Sequence, residues 1–470
     1  MNYSITTATV PRWISCRTYL FGQAESRTYI SNEKNHTYIL LEGLASDMWK
    51  MLVDDVDETT FAVWAKEKGV TDQVDDFLRD LSDQGLLTFE NKIDSYTNAL
   101  YEAFPQEAKS EDEQAFINEM KGWLWDHGFM YSLFVELTYR CNLKCVHCYN
   151  PKDPSAGEIN YEMCKKAIDD AYKLGCFRIT FSGGESTLHS RFLDLVRYAK
   201  NKHMSVEIFT NGQILARNDA LYHSLLAEYP YRIGISLYST EKEMHERVTA
   251  VPGSFEQTNS LIHRLRKDNV NVQIKNFLLD FNCMDCIKVK KMAEKIGATS
   301  AADISLIPTI EGDKKTMRYV LSEEQLFELF TDPNSPLCIP KEYRPYDLDS
   351  IRDSSPCFGG FSGLFINPEG MVTICVSMPM DLGNIKSISL KEIWMAAMRK
   401  DPNSKLAQWQ AVTIADIKEC YKADYCAFCN YCPGMGYLEN GYLKKSEVQC
   451  AQAKAKMRAY YSIKNGSKTQ

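Results

Sequence analysis

Across 470 residues the chain is 44% hydrophobic and 25% charged, with a formal net charge of −8; these are ordinary values for a soluble protein of two to four domains. The acidic balance lacks the basic footprint of a nucleic-acid binder. No run of eighteen apolar residues offers a spanning helix, and the first ten residues lack the basic and apolar regions of a secretory signal; no membrane partner and a cytoplasmic location are expected.

The first ninety residues read as a small strand–helix module. Arg17–Phe21, Arg27–Ser31 and His36–Leu41 are β-rich, with turn residues over Ser31–Asn35. Val74, Phe77, Leu78 and Leu81 then recur at helical spacing, with Thr71 as N-cap and Gly85 as stop. A connecting helix is expected over 101–125, its acidic run Glu111–Glu113 forming a solvated face. From 131 to 310, strands at Leu133–Leu137, Phe177–Phe181, Ser205–Thr210, Arg232–Leu237, Val270–Leu278 and Asp303–Ile307 alternate with helices near 161–174, 189–202, 217–228, 254–268 and 285–296. That order requires right-handed crossovers and a parallel sheet, open or curled into a partial barrel. Its chemistry belongs at the carboxyl ends of the strands. Pro333, Pro336, Pro340 and Pro345 mark a linker over 331–346. A hairpin follows, Leu364–Ile366 and Met371–Ile374 about the turn Asn367–Gly370, and the chain closes on a polar tail after Ser462.

Sixteen cysteines in a reducing compartment read as metal ligands and not as cross-links. Cys141, Cys145 and Cys148 stand at C-x3-C-x2-C just after the first barrel strand. Thiolates hold iron–sulfur clusters, usually four to a cluster, so three leave one iron open to a small molecule. Zinc with a fourth ligand such as His147 is the alternative. Ser182-Gly-Gly-Glu185 ends the second strand: Gly183 and Gly184 admit a ligand close to the backbone, and Glu185 offers a carboxylate to a cation. Thr210, Asn211 and Gly212 end the third strand and Ser236 the fourth; Asn211-Gly212 also reads as a plain turn, and Arg247 as a surface residue. Cys164 and Cys176 read as packing residues. Cys283 and Cys286 lack partners in the sequence, and Cys16 is unrelated to the others.

Together the three-cysteine loop and the Gly-Gly-Glu run resemble the radical S-adenosylmethionine (SAM) superfamily over roughly 130–310. The resemblance implies an α/β fold with a partial (β/α)6 TIM-like barrel. It also implies a 4Fe–4S cluster on Cys141, Cys145 and Cys148, whose open iron is chelated by the cofactor S-adenosyl-L-methionine. By the same resemblance Gly183, Gly184, Glu185, Thr210, Asn211, Ser236 and Arg247 bind that cofactor, with Glu185 on the methionine ammonium and Arg247 on its carboxylate. Ser186 stands where the family usually has proline. The implied chemistry is reductive cleavage of the sulfonium to a 5′-deoxyadenosyl radical, fed by an electron donor such as flavodoxin or ferredoxin.

Cys357, Cys375, Cys420, Cys426, Cys429, Cys432 and Cys450 form a second group, too many for one zinc and too few for two complete four-cysteine clusters. This layout resembles the SPASM domain, which holds two auxiliary 4Fe–4S clusters. By that pattern Cys420, Cys426, Cys429 and Cys450 hold the outer cluster and Cys357, Cys375 and Cys432 the inner one. Cys338 fills the inner vacancy, or the site stays open to a substrate thiolate. Finally, Thr37–Trp49 and the helix ending Gly85-Leu-Leu87 resemble the winged-helix peptide-recognition element of enzymes that mature ribosomal peptides. Such elements take a leader peptide as an added strand.

The implied organisation is a recognition element at 1–95, a linker helix at 96–130, the barrel at 131–312, a bridging region at 313–350, the SPASM domain at 351–458 and a tail at 459–470. The implied function is oxidative cross-linking of a precursor peptide with a leader, by a cysteine thioether in the first place. Carbon–carbon cross-linking, formylglycine formation by a sulfatase maturase, and a non-catalytic iron–sulfur peptide-binding protein are the alternatives.

Overall fold

The computed structural model describes residues 7–21, 25–89, 110–151 and 157–466. At the amino-terminal end, β1 (Ala8–Thr9) pairs with β5 (Thr88–Phe89). β2 (Ile14–Phe21), β3 (Glu25–Asn32) and β4 (Thr37–Glu42) form an antiparallel sheet in the order β2-β3-β4. Strand alternation splits its side chains between two cores. Ile14, Cys16 and Ile30 meet Trp49, Leu78 and Leu81 from the helices behind the sheet. On the opposite face Tyr19 and Tyr29 meet Ile117, Met120 and Leu124 of the helix Ser110–Asp126, together with Tyr131 and Phe177 of the barrel.

The helix expected around Leu78 spans Val74–Asp83, and Gly85 at φ +69 follows its end. Thr71 is not its cap. Val70 accepts from the Gln73 amide at 2.9 Å, winding Thr71–Gln73 into a 3-10 turn that precedes the helix. The expected boundary at 95/96 and the start of the connecting helix at 101 lie outside the described residues. Glu113 is more than a solvated acid, because it accepts a hydrogen bond from the Tyr231 hydroxyl.

Six consecutive parallel strands build the barrel: β6 (Ser132–Glu136), β7 (Arg178–Ser182), β8 (Ser205–Thr210), β9 (Arg232–Ser236), β10 (Val272–Phe277) and β11 (Thr299–Asp303). Leu133, Val135, Ile179, Phe181, Val206, Ile208, Ile233, Ile235, Val272 and Ile274 share one core with the outer helices. The alternate residues face inward: Phe134 meets Phe209, and the Lys275 ammonium lies 3.4 Å from the Phe209 ring centre. The sixth strand is displaced from the expected Asp303–Ile307. Gln273 through Phe277 pair with Thr299 through Asp303, while Leu306 and Ile307 leave the sheet for two separate cores beside Val248 and Met435. The apolar run marks two packing sites, not a strand.

The carboxyl-terminal hairpin extends this sheet. β12 (Gly363–Ile366) runs parallel to β6, and β13 (Met371–Thr373) and β14 (Gly383–Asn384) follow, giving nine strands in one sheet. The hairpin turn is closed by a 2.9 Å bond from the Gly370 amide to the Asn367 carbonyl, with Gly370 at φ +85. Helix Glu447–Gly466 runs on through most of the expected tail, and 467–470 lie outside the described residues. Among the described residues no helix is long and apolar enough to cross a membrane.

The amino-terminal sheet docks at the amino ends of the barrel strands, opposite the mouth. The Cys16 amide donates to the His203 carbonyl at 2.8 Å and the Tyr19 hydroxyl to the Gly175 carbonyl at 2.7 Å. Arg12 pairs with Glu228. The β2 edge is thereby covered.

Candidate active site and cysteine clusters

The loop after β6 carries the three cysteines across the barrel mouth. It is tied to neighbouring elements by backbone bonds: the Lys144 and Val146 amides each donate at 3.0 Å, to Thr249 and Val248 at the end of helix Lys242–Thr249. Burial pushes the Cys141 thiol up to about 11, with Glu185 and Cys148 adding to the rise. The Cys145 thiol is raised further, first by burial and then by Cys148 and Cys141. Cys141 is exposed at the mouth and Cys145 and Cys148 are half-buried; three thiols that oppose one another's ionisation there are matched to a cationic cluster, which reverses that cost.

Gly183 and Gly184 are required by their own chain. A side chain on Gly183 would stand 2.4 Å from the Thr138 carbonyl oxygen, and one on Gly184 2.4 Å from that of Arg140. Their bareness lets the β7 loop lie against the start of the cysteine loop, with Gly184 donating to Thr138 at 2.7 Å and Glu185 to Arg140 at 2.9 Å. The buried Glu185 carboxylate then gathers the next loop. Its Oε1 accepts from the Thr187 amide at 3.1 Å, the Thr187 hydroxyl at 2.5 Å and the Thr210 hydroxyl at 2.7 Å, and its Oε2 from the Asn211 amide at 2.7 Å. Burial nevertheless raises its pKa. A ligand ammonium would find its remaining acceptor capacity on Oε2. Asn211 completes the chain of contacts, donating to Asn142 at 2.9 Å and lying 3.7 Å from the Cys141 sulfur.

Ser236 ends β9 beside Tyr238, whose hydroxyl is 3.9 Å from the Cys145 sulfur. Arg247 is exposed and its guanidinium stacks 3.9 Å from the Phe281 ring centre, so it joins none of these contacts. His147 stacks on Phe277 at 4.9 Å with a buried, unpartnered Nδ1, and burial lowers its pKa to about 4. Sequence reasoning missed Tyr238 and Glu136. Glu136 is buried at the end of β6, accepts from the Tyr149 hydroxyl at 2.8 Å, and is pushed up to about 7 by burial. A lone acid in the apolar run Leu133-Phe-Val-Glu-Leu137 was its signal.

The second cysteine group divides in two. Cys420, Cys426, Cys429 and Cys450 line one cavity with Tyr421, Tyr425 and Tyr431. Burial pushes the Cys420 and Cys429 thiols to about 12, and each is raised further by Cys450 and Cys426. Cys375 is likewise pushed to about 12, first by burial and then by Cys432 and Cys357. Cys338 belongs to neither group: its charged neighbours are Asp332 and Lys290. Cys283 and Cys286 pack with Leu326 and Leu329, and Cys164 and Cys176 sit in the barrel core. Among the described residues no three His, Cys, Asp or Glu side chains close on a single metal ion; a 4Fe–4S cubane offers each thiolate its own iron, so its ligands need not meet at a point.

Residues 135–281 match the radical SAM superfamily, and residues 357–433 match SPASM, an iron–sulfur cluster-binding domain. Over 336 residues the chain is 30% identical to the antilisterial bacteriocin subtilosin biosynthesis protein AlbA of Bacillus subtilis (strain 168), covering 66% of this chain and 69% of that protein. The chain belongs to the radical SAM superfamily. This radical SAM enzyme is also 26% identical over 343 residues to the AdoMet-dependent heme synthase of Methanosarcina barkeri (strain Fusaro), covering 67% of this chain and 94% of that protein. In fold it is similar to Streptococcus suis SuiB bound to its precursor peptide SuiA, at a TM-score of 0.50 and 14% identity over 94% of this chain and 99% of that one. Its cofactors are S-adenosyl-L-methionine and 4Fe–4S clusters, with auxiliary clusters in the SPASM domain. The grouped thiols at the barrel mouth and in the carboxyl-terminal cavity fit such groups. When bound, they supply a 5′-deoxyadenosyl radical.

Proposed function

We propose that this radical SAM enzyme oxidatively cross-links a ribosomally made precursor peptide, forming a cysteine thioether. The observation that carries this reading is the three-cysteine set Cys357, Cys375 and Cys432. All sixteen cysteines are described, and Cys338, the available fourth, stands elsewhere. An inner cluster on those three keeps a place for the thiolate of a peptide cysteine. Cys141, Cys145 and Cys148 would hold the radical-generating cluster, and Cys420, Cys426, Cys429 and Cys450 the outer auxiliary one. Glu185, Thr210 and Asn211 hold the cysteine loop against β7 and β8, so their task is to fix the cofactor's position and keep water out. An electron donor of the flavodoxin or ferredoxin kind supplies the reducing electron. The similarity to AlbA supports a peptide substrate.

The amino-terminal sheet supplies recognition, with the leader added as a strand on β4. The test is reconstitution with cluster, S-adenosylmethionine, a reductant and a cysteine-bearing precursor. Loss of two hydrogens per event, with a peptide thiol no longer alkylated, is the expected result. Loss of two hydrogens with the thiol intact would mean a carbon–carbon bond. The likeness to heme synthases supports a second reading, a heme precursor as substrate; turnover of a porphyrin and of no peptide would establish it.

A further inference from the structure

The charge of this protein is concentrated in one place. Residues 42–84 contain twelve Asp or Glu against four Lys or Arg, a net −8, which is the net charge of the whole chain. Everything outside that stretch balances. All but Asp47 of these acids are exposed, and two of the four bases are spent locally, Lys50 on Asp54 and Arg79 on Asp76.

That acidic field surrounds an unprotected strand edge. β2 is covered by the barrel, and among the described residues β4 pairs with β3 alone. Sheet edges are ordinarily guarded by lysine, proline or a bulge. The edge here reads Thr37-Tyr-Ile-Leu-Leu-Glu42, with none of these. Its inward-facing Ile39 and Leu41 are only half-buried and belong to the same apolar cluster as Val74 and Phe77 of helix Val74–Asp83. The same helix holds Asp75, Asp76, Asp80 and Asp83 exposed. A strip of apolar surface beside open backbone donors and acceptors therefore has an acidic rim.

Resting on the peptide-maturase reading, we infer that β4 takes a basic leader segment: an extended strand whose apolar side chains on one face meet Ile39 and Leu41, flanked at its ends by lysines or arginines that meet the acidic rim. Backbone pairing gives this strand its affinity, and the charge pattern selects it against acidic or neutral strands.

The test is hydrogen exchange at residues 37–42 of the full-length protein with two synthetic peptides of identical apolar pattern, one bearing lysines and one glutamates. The lysine peptide should protect β4 and bind at least about tenfold more tightly. Its affinity should fall with added salt, as expected for charges screened over a Debye length, and fall again in Asp76→Asn with Asp80→Asn. Equal protection by both peptides, or preference for the glutamate peptide, overturns the charge selection and leaves strand docking standing. No protection by either overturns both. So does protection already complete in the peptide-free protein and lost when residues 90–109 are replaced by a Gly/Ser linker, because the chain's own segment would then be the occupant.

Discussion

At Gly184 a single methyl group would stand 2.4 Å from the Arg140 carbonyl oxygen and 2.5 Å from that of Tyr139. Both are backbone atoms, so neither can swing aside. Gly184→Ala should cost about 2 kcal/mol of stability and loosen the cysteine loop; a variant with unchanged thermal midpoint and cofactor cleavage would show that the loops part freely. The cysteines separate more sharply. Cys145→Ala should abolish cofactor cleavage, and Cys375→Ser should lower bound iron by about a third, one cluster of three. Cys338→Ala should leave iron content at the wild-type value, measured on anaerobically reconstituted protein. Glu136 makes a prediction in pH. Burial favours its acid form, lifting it from 4.5 to about 7. The stability it contributes is therefore complete below about 4.5 and lost as pH rises through about 7, on the order of 3 kcal/mol in all. Glu136→Gln should flatten that fall in denaturant titrations between pH 5 and 8.

Among the elements, the barrel strands β6 to β10 were legible to within two residues at each end, because apolar residues toward the outer helices alternate with more polar ones facing inward, as in Val206, Glu207 and Ile208. β11 was not, since Thr299-Ser-Ala-Ala-Asp303 has almost no apolar signal and the run after it does. Helix Lys242–Thr249 escaped for the same reason: only His245, Val248 and Thr249 are buried on it. The joining of β12 to β6 rests on pairing across more than two hundred residues and leaves no local mark. The docking of the amino-terminal sheet was equally hidden, and it changes what truncation means. Glu33, Lys200 and Arg178 are buried together where that sheet meets the barrel, and burial pulls Lys200 down to about 8. Glu33→Ala should lower the denaturation midpoint, because it removes one of the buried carboxylates that offset these cations and leaves Glu228 beside Lys200 and Glu207 beside Arg178. Deleting the whole module would uncover the same charges, so Thr37→Pro, at the exposed start of β4, is the cleaner way to separate peptide processing from cofactor cleavage.

The whole molecule places its amino-terminal sheet and its cysteine loop at opposite ends of one barrel. The amino-terminal sheet meets His203, Gly175 and Glu228, all at the amino ends of the strands, whereas Cys141, Glu185 and Asn211 gather at the carboxyl ends. On the proposed reading, a peptide anchored on β4 must span the height of the barrel before its core reaches the mouth. A six-residue strand such as β8 (Ser205–Thr210) rises about 20 Å, and an extended chain covers at most about 3.5 Å per residue. Adding the loops at each end, the leader strand and the first modified residue must be separated by about eight to ten residues. Below that spacing modification should stop while binding, measured by anisotropy of a labelled leader, stays constant. Above it modification should decline slowly, because lengthening a flexible tether lowers effective concentration only as a weak power of its length. A precursor that is modified equally well with a spacer cut to five residues or fewer would mean that the leader docks at the mouth and the β4 edge serves something else.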